Sequence, residues 1–348
     1  MNRHTRRTSA RRPVLGVVAA CLAAVVTLAG CGGDATGNEG AVNDDGSVDL
    51  DKVTLVVGDQ KGGSKALLQA AGLLDDLDYE VEWKEFTSGP PLLEALNAGS
   101  IHVGGVGNTP PLFAAAAGSE VTVVQAATYG GAGDAIVVGP DSSITDVADL
   151  KGKKVAVAEG SSANYHLLAQ LQEAGLSYDD VEIQNLQPAD ALTAFSAGHI
   201  DAWAIWEPFT SQAEADNDAV VIATGKDLAN GYVFQVASNV ALEDKATTAA
   251  LEDYLGRIAQ AQVWSGTHQQ EWAAAWAAET GLSDEVTLAA VNKRVIEPVP
   301  VDAEVIASEQ EMADAFVENE LLPEPFDVAD FFSDRFNESV ARAAGVQQ

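Results

Sequence analysis

Five short turns hold the residues of this sequence best placed to do chemistry: positions 60–64, 88–90, 107–110, 160–162 and 207–208. Each follows a strand-like run and precedes a helix-like one. Four of them set hydroxyls, amides or glycine N–H groups at the start of the helix, through Gln60, Ser88, Gly89, Gly107, Asn108, Thr109, Ser161 and Ser162. The first turn of a helix has N–H groups without acceptors and a partial positive charge. Such turns bind anions without a cationic side chain. That matters because no arginine stands between Arg12 and Arg257, so no guanidinium is expected in a cleft made from these turns. Lys61 is the one cation placed in such a turn. A single turn is too weak. Micromolar affinity needs about 8 kcal/mol, a helix terminus supplies about 0.3–1 kcal/mol, and a hydrogen bond to a charged group about 1.5–3 kcal/mol. Three or four converging turns with a buried apolar tail would reach it. Taken singly, Ser64, Ser88, Thr109 and Ser162 read best as N-caps; as a set at matched positions, they read as an anion cradle.

The elements that must position these turns are written twice. Positions 93–101 read LEALNAGSI and positions 192–200 read LTAFSAGHI, at an offset of 99 residues. A looser echo links 52–74 with 153–176. Strand, turn and helix follow in the same order in both halves, which predicts two similar α/β lobes around a shared cleft. The strands are apolar on both faces and alternate with helices, the pattern of mainly parallel sheets covered on both sides. Ligands of such sheets sit at the carboxyl ends of strands, where the next helices begin. Lobe I is expected over 52–137 and 236–300 and lobe II over 138–235, with the glycine-rich run 130–134 near a crossing. From Lys245 onward the pattern is almost wholly helical, and residues 301–348 are expected to pack on lobe I.

Composition excludes several classes. The chain of 348 residues has 19 basic against 52 acidic residues, a formal charge of −33. Five of the arginines precede position 13, so the remainder is more acidic still, which argues against nucleic acid as a partner. The cysteines are Cys21 and Cys31, and the histidines lack metal-ligand spacing. No metal, cofactor or cysteine nucleophile is expected, and no phosphate-binding G-x-x-x-x-G-K-[ST] loop occurs. Arg3, Arg6, Arg7, Arg11 and Arg12 precede an apolar stretch over 14–28, too short for a span of about 20 residues, and 1–30 reads as a signal peptide. Leu28-Ala29-Gly30-Cys31 resembles the lipobox of bacterial lipoproteins, which implies lipidation of Cys31 and a membrane anchor. Residues 31–51, small and acidic, read as a disordered tether.

The runs GDQKGGSKALLQAAGLL, EWKEFTSGPPLLEALNAGSI, GVGNTPPLFAAAAG, DLKGKKVAVAEGSSANYHLL and GHIDAWAIWEP resemble the aliphatic-sulfonate-binding proteins of ABC importers, a group that includes taurine, nitrate and pyrimidine-precursor binders. The resemblance covers about 52–216. It implies a two-lobed, hinge-closing periplasmic-binding-protein-like fold, monomeric, with a permease and its ATPase as partners and a small organosulfonate or related oxyanion as ligand. It places contacts on Gln60, the Ser88-Gly89 turn, Gly107-Asn108-Thr109 and Ser161-Ser162, and sets Trp206 beside the cleft to cover an aliphatic tail. The family often has an acid at Asn108, alanine at Thr109 and aspartate at Glu207. Glu207 either meets a ligand amine, as in taurine, or caps the helix beginning at Pro208. Two rival readings are an enzyme on the same scaffold, with His166 as its one histidine near a cleft turn, and a receptor for a cation or polyamine using Glu159 and Glu207.

Overall fold

Both faces of the first strand are covered, and the architecture grows from that. The computed structural model describes residues 37–345. The expected signal peptide and Cys31 lie outside the described residues. The chain runs β1 (Thr54–Gln60), α1 (Ser64–Ala70), β2 (Glu80–Phe86), α2 (Gly89–Asn97), β3 (Val103–Gly107), α3 (Thr109–Ala116) and β4 (Val121–Thr128). It continues through β5 (Asp134–Val138), β6 (Lys154–Val157), α4 (Ser162–Glu173), β7 (Glu182–Asn185), α5 (Pro188–Ser196), β8 (Ala202–Trp206), α6 (Phe209–Asn217) and β9 (Val220–Thr224). Then follow β10 (Tyr232–Ser238), α7 (Asn239–Glu243), α8 (Lys245–Ser265), α9 (Gln269–Thr280), α10 (Asp284–Asn292), β11 (Glu297–Val299), α11 (Ala303–Glu318) and α12 (Asn337–Ala344).

Along β1, Leu55 and Val57 enter one core with Leu68, Leu251 and Tyr254, while Val56 enters another with Leu92, Ile101 and Phe234. Each such side chain stabilises the fold by about 1.5–3 kcal/mol on burial. Three of the helices along the cleft start where prolines fix the first turn: Pro90 and Pro91 in α2, Pro110 and Pro111 in α3, Pro188 in α5.

Two sheets result, in the orders β11-β4-β10-β3-β1-β2 and β7-β6-β8-β5-β9. Leaving β11 aside, β4-β10-β3-β1-β2 matches β9-β5-β8-β6-β7 strand for strand, so the duplication in the sequence is a duplication of topology. The sheets are mixed. β1 pairs in parallel with β2 and β3, and β6 with β7 and β8, but β10 and β5 run antiparallel to their neighbours. The reason is the crossing. β5 and β10 each arrive from the other sheet at the cleft edge, where the parallel strands end, and must run back along the sheet.

The crossings shift the expected lobe limits. All of β5 lies in the second sheet and all of β10 in the first, so the breaks fall at 129–133 and 225–231 rather than at 137/138 and 235/236. The two crossings touch each other. Tyr129 N–H donates to Gly231 O at 3.0 Å. Gly131 and Gly231 both take positive φ, and a Cβ on Gly231 would stand 2.0 Å from Gly131 N. Only glycine fits there.

Two further expectations change. Residues 37–51 are ordered, not a tether. Asn38 exchanges two hydrogen bonds of 3.0 Å with the Thr54 backbone, and Ala41 sits in the core. The C-terminal helices are not confined to lobe I. α12 packs on α8, but Phe316 of α11 meets Phe113 of α3 at 5.1 Å and Tyr165 of α4 at 5.9 Å between ring centres. α11 thus bridges both lobes.

α11 also buries Glu309 completely, with Oε1 accepting from Asn230 Nδ2 at 2.8 Å. Burial raises its pKa to about 8. A carboxyl raised in this way keeps a proton in the folded state that the unfolded chain releases. Its contribution to stability is therefore full below about pH 4 and is lost as pH rises toward about 8. We predict that the free energy of unfolding, read from denaturant titrations, falls from pH 5 to pH 8, and that Glu309→Gln makes the fall smaller by an amount of the order of a few kcal/mol. Identical falls in the two proteins would show that Glu309 is ionised in the native state.

Candidate functional site

The carboxyl ends of β1, β3 and β6, together with the loops around them, enclose a cavity of about 120 Å³. Of the residues singled out in the sequence, Gln60, Lys61, Gly89, Gly107, Ser161, Ser162, Trp206 and Glu207 line it. Ser88, Asn108 and Thr109 do not. They are buried beside it and tie the protein to itself. Ser88 Oγ donates to Gln187 Oε1 across the cleft at 2.8 Å, Asn108 Nδ2 donates to Asn230 Oδ1 at 2.7 Å, and Thr109 Oγ1 donates to Asn108 Oδ1 at 3.0 Å. The lobes are in contact: a Cβ on Gly107 would stand 3.1 Å from Ser162 Cβ.

The turn hydroxyls face inward to the protein. Ser162 Oγ donates to Asp134 Oδ1 at 2.7 Å, and Ser161 Oγ donates to Ala158 O at 2.6 Å. What the turns offer a ligand is main-chain N–H, and the turns differ. No described side chain caps α2, α3 or α4, so the N-cap reading of their hydroxyls does not hold. The prolines at the second and third positions of α2 and α3 have no N–H to give, which leaves one early donor each, on Gly89 and Thr109. α4 keeps those of Ser162 and Ala163. α1 is closed, because Asp59 Oδ1 accepts from Ser64 N at 2.8 Å and Oδ2 from Lys65 N at 2.9 Å. Burial raises the Asp59 pKa to about 7 against the pull of those two N–H groups. Gln60 Nε2 is held by Gly105 O at 2.9 Å.

The thinned amide set is joined by a cation that the five turns do not contain. Arg294, just past α10, lines the cavity. Its guanidinium lies 5.2 Å from the Tyr129 ring centre, and its Nε is buried without a described partner. Gly133 makes room for it, since a Cβ there would stand 3.0 Å from Arg294 Cγ. Tyr129 OH donates to Asp134 Oδ2, so one buried carboxylate fixes both the arginine's platform and Ser162. Burial, and then Asp134, push the Tyr129 pKa up. The expectation of a cleft without guanidinium is therefore corrected.

Glu207 is 1% exposed. Its Oε2 accepts from Ser211 N at 3.1 Å, capping α6, and its Oε1 lies 3.0 Å from Lys293 Nζ. Lys293 also reaches Glu214 at 2.7 Å. Burial works against the lysine charge, but Glu207 and Glu214 outweigh it and hold its pKa above the usual value. The amine that meets Glu207 belongs to this chain, and the ion pair spans from α10 to α6 across the cleft. Lys61 Nζ likewise crosses to the Phe209 ring, 5.2 Å from its centre, with its pKa lowered by burial. Trp203 is core, packed between Phe195 and Phe209. His166 is buried with Nε2 at 3.2 Å from Gln170 and is not among the residues lining the cavity.

Two lobes of matching topology, two crossings and a cavity of mixed polar and apolar lining between them define a two-lobed solute-binding fold. The architecture is that of the periplasmic SsuA binding proteins. The aliphatic sulphonate binding protein SsuA from Escherichia coli is 36% identical, with a TM-score of 0.70 over 80% of this chain and 91% of that one. The alkanesulfonate-binding protein SsuA from Xanthomonas axonopodis pv. citri, solved bound to MOPS, is 35% identical, with a TM-score of 0.73 over 80% of this chain and 98% of that one. A relative from Escherichia coli (strain K12), named an aliphatic sulfonates-binding protein, is 37% identical over 278 residues, 79% of this chain and 86% of its own. A family model described as NMT1-like matches residues 64–283. The chain belongs to the NMT1-like family, and its relatives above are members named for sulfonate binding.

Proposed function

We propose that this chain is the receptor of an ABC importer, capturing an aliphatic sulfonate between its lobes and presenting it, closed, to a permease driven by a separate ATPase. The observation that carries this reading is the Arg294 guanidinium, in a cavity that also receives the uncapped first turn of α4. A tetrahedral oxyanion takes bidentate donation from arginine and the remainder from main-chain N–H. Val106, Ile258, Ile296 and Trp206 supply apolar wall for the aliphatic stem. The Lys293–Glu207 pair favours sulfonates without an amine over taurine. Ligand selects the closed form by touching both lobes at once. Binding without turnover fits the relatives matched over most of their length, which are named for binding. Export, anchoring through a lipid on Cys31 and action as a monomer complete the proposal.

The test is tryptophan fluorescence and calorimetry with ethanesulfonate, butanesulfonate, taurine, nitrate and sulfate. Trp206 and Trp272 both line the cavity and report occupancy. Saturable binding of the alkanesulfonates at about micromolar Kd or tighter, ahead of the inorganic anions, is expected. Silence toward every sulfonate would refute the proposal.

A further inference from the structure

The cavity does not end at Arg294. It continues across the middle of the lobe I sheet, where three glutamines join its apolar lining. Register places Gln125 of β4 opposite Gln235 of β10, and Gln235 opposite Gly105 of β3, so the three form one row. Gln262 of α8 and Trp272 of α9 face the same space. Gln125, Gln235, Gln262 and Trp272 are 2%, 6%, 5% and 3% exposed. Both amide atoms of Gln125, the Oε1 of Gln235 and of Gln262, and the Nε1 of Trp272 have no described hydrogen-bond partner. Buried amides are almost always paired, and each left unpaired costs about 1–3 kcal/mol. Several such atoms against one cavity mark a place where an occupant supplies the partners.

The chemistry of that occupant follows from the lining. Gln125 Nε2 and Trp272 Nε1 donate, while the three Oε1 atoms accept. Asp59 adjoins this end through Ser64, whose Oγ accepts from Gln235 Nε2 at 3.2 Å, and it is an acid already engaged by two main-chain N–H groups. An anionic head group is therefore directed to the Arg294 end, and this end suits a neutral group that both donates and accepts.

We propose that the glutamine-lined chamber binds a hydroxyl-type tail at the far end of the sulfonate ligand. This rests on the sulfonate reading above and narrows it: the preferred substrate is a hydroxylated alkanesulfonate rather than a plain one. A site built to hydrogen-bond a hydroxyl discriminates against the analogue that lacks it, because displacing water with a methyl leaves the protein groups unpaired.

The experiment uses three sulfonates of nearly equal shape: butane-1-sulfonate, 3-hydroxypropane-1-sulfonate and 3-aminopropane-1-sulfonate, titrated calorimetrically into the native protein and Gln125→Leu. The hydroxyl ligand is expected to bind the native protein about tenfold more tightly than the methyl and amine ligands. Gln125→Leu should erase that advantage over the methyl ligand while still binding both. Equal or better binding of butanesulfonate, the amine ligand binding most tightly, or an unchanged hydroxyl preference in Gln125→Leu would each overturn the chamber assignment alone. Failure of all three to bind the native protein would overturn the sulfonate reading and this inference together.

Discussion

Arg294→Ala is expected to weaken alkanesulfonate binding by about a hundredfold or more. Hydrogen bonds to a charged group are worth about 1.5–3 kcal/mol each, a bidentate fork supplies two, and tenfold corresponds to about 1.4 kcal/mol. The loss should be large here because the other donors are few. α1 has spent its N–H groups on Asp59, α2 opens with two prolines, and the hydroxyls of Ser88, Ser161 and Ser162 donate to Gln187, Ala158 and Asp134. Arg294→Lys should recover only part of the affinity, since an ammonium is a point donor and loses both the fork and the stacking on Tyr129. Calorimetry with butanesulfonate checks this. Affinity within a few-fold of native in Arg294→Ala would mean that main-chain N–H groups suffice.

The second large effect belongs to Lys293. Lys293→Met removes the cation beside a carboxylate that is 1% exposed. Breaking a buried ion pair from one side is strongly destabilising because the remaining charge stays uncompensated. The Lys293 side chain is one-third exposed, so solvent softens the penalty. The pair spans the cleft, so the cost falls on the closed form. Butanesulfonate affinity should drop about tenfold, and ammonium-bearing sulfonates should gain relative to it by a similar factor, since their cation can replace the lysine. Lys293→Met combined with Glu207→Gln should restore butanesulfonate binding and abolish the gain for amines. An unchanged ratio of taurine to ethanesulfonate affinity in Lys293→Met would show that the ligand never approaches Glu207.

What could be read in advance, and what could not, divides along a physical line. The repeat at an offset of 99 residues marked α2 with α5 and β3 with β8, whose spans keep that offset. Local signals sufficed because each unit is a strand, a turn and a proline- or glycine-marked helix start. The cleft turns were legible for the same reason. The uses of their side chains were not, because Gln187, Asn230 and Asp134 are tertiary partners brought together only by the fold. Arg294 and Lys293 carry no local signal at all. They lie in the helical C-terminal part, far along the chain from the turns, and enter the cleft because α10 packs against α6. The closure of α1 by Asp59 had a cue, an acid at the end of a strand five residues before Ser64. The antiparallel strands β5 and β10 had none, since a buried apolar strand reads alike in either direction.

On the proposed reading, Arg294 and main-chain N–H groups from α4 grip the sulfonate between the lobes. The most direct measurement is a crystal structure of the complex with a short alkanesulfonate, its sulfur located by anomalous scattering. The sulfonate oxygens are expected within hydrogen-bond distance of the Arg294 guanidinium and of N–H groups at the start of α4, with the stem running toward Gln125 and Gln235. A sulfonate seated elsewhere, or an Arg294 turned away from it, would rule out this mode of binding.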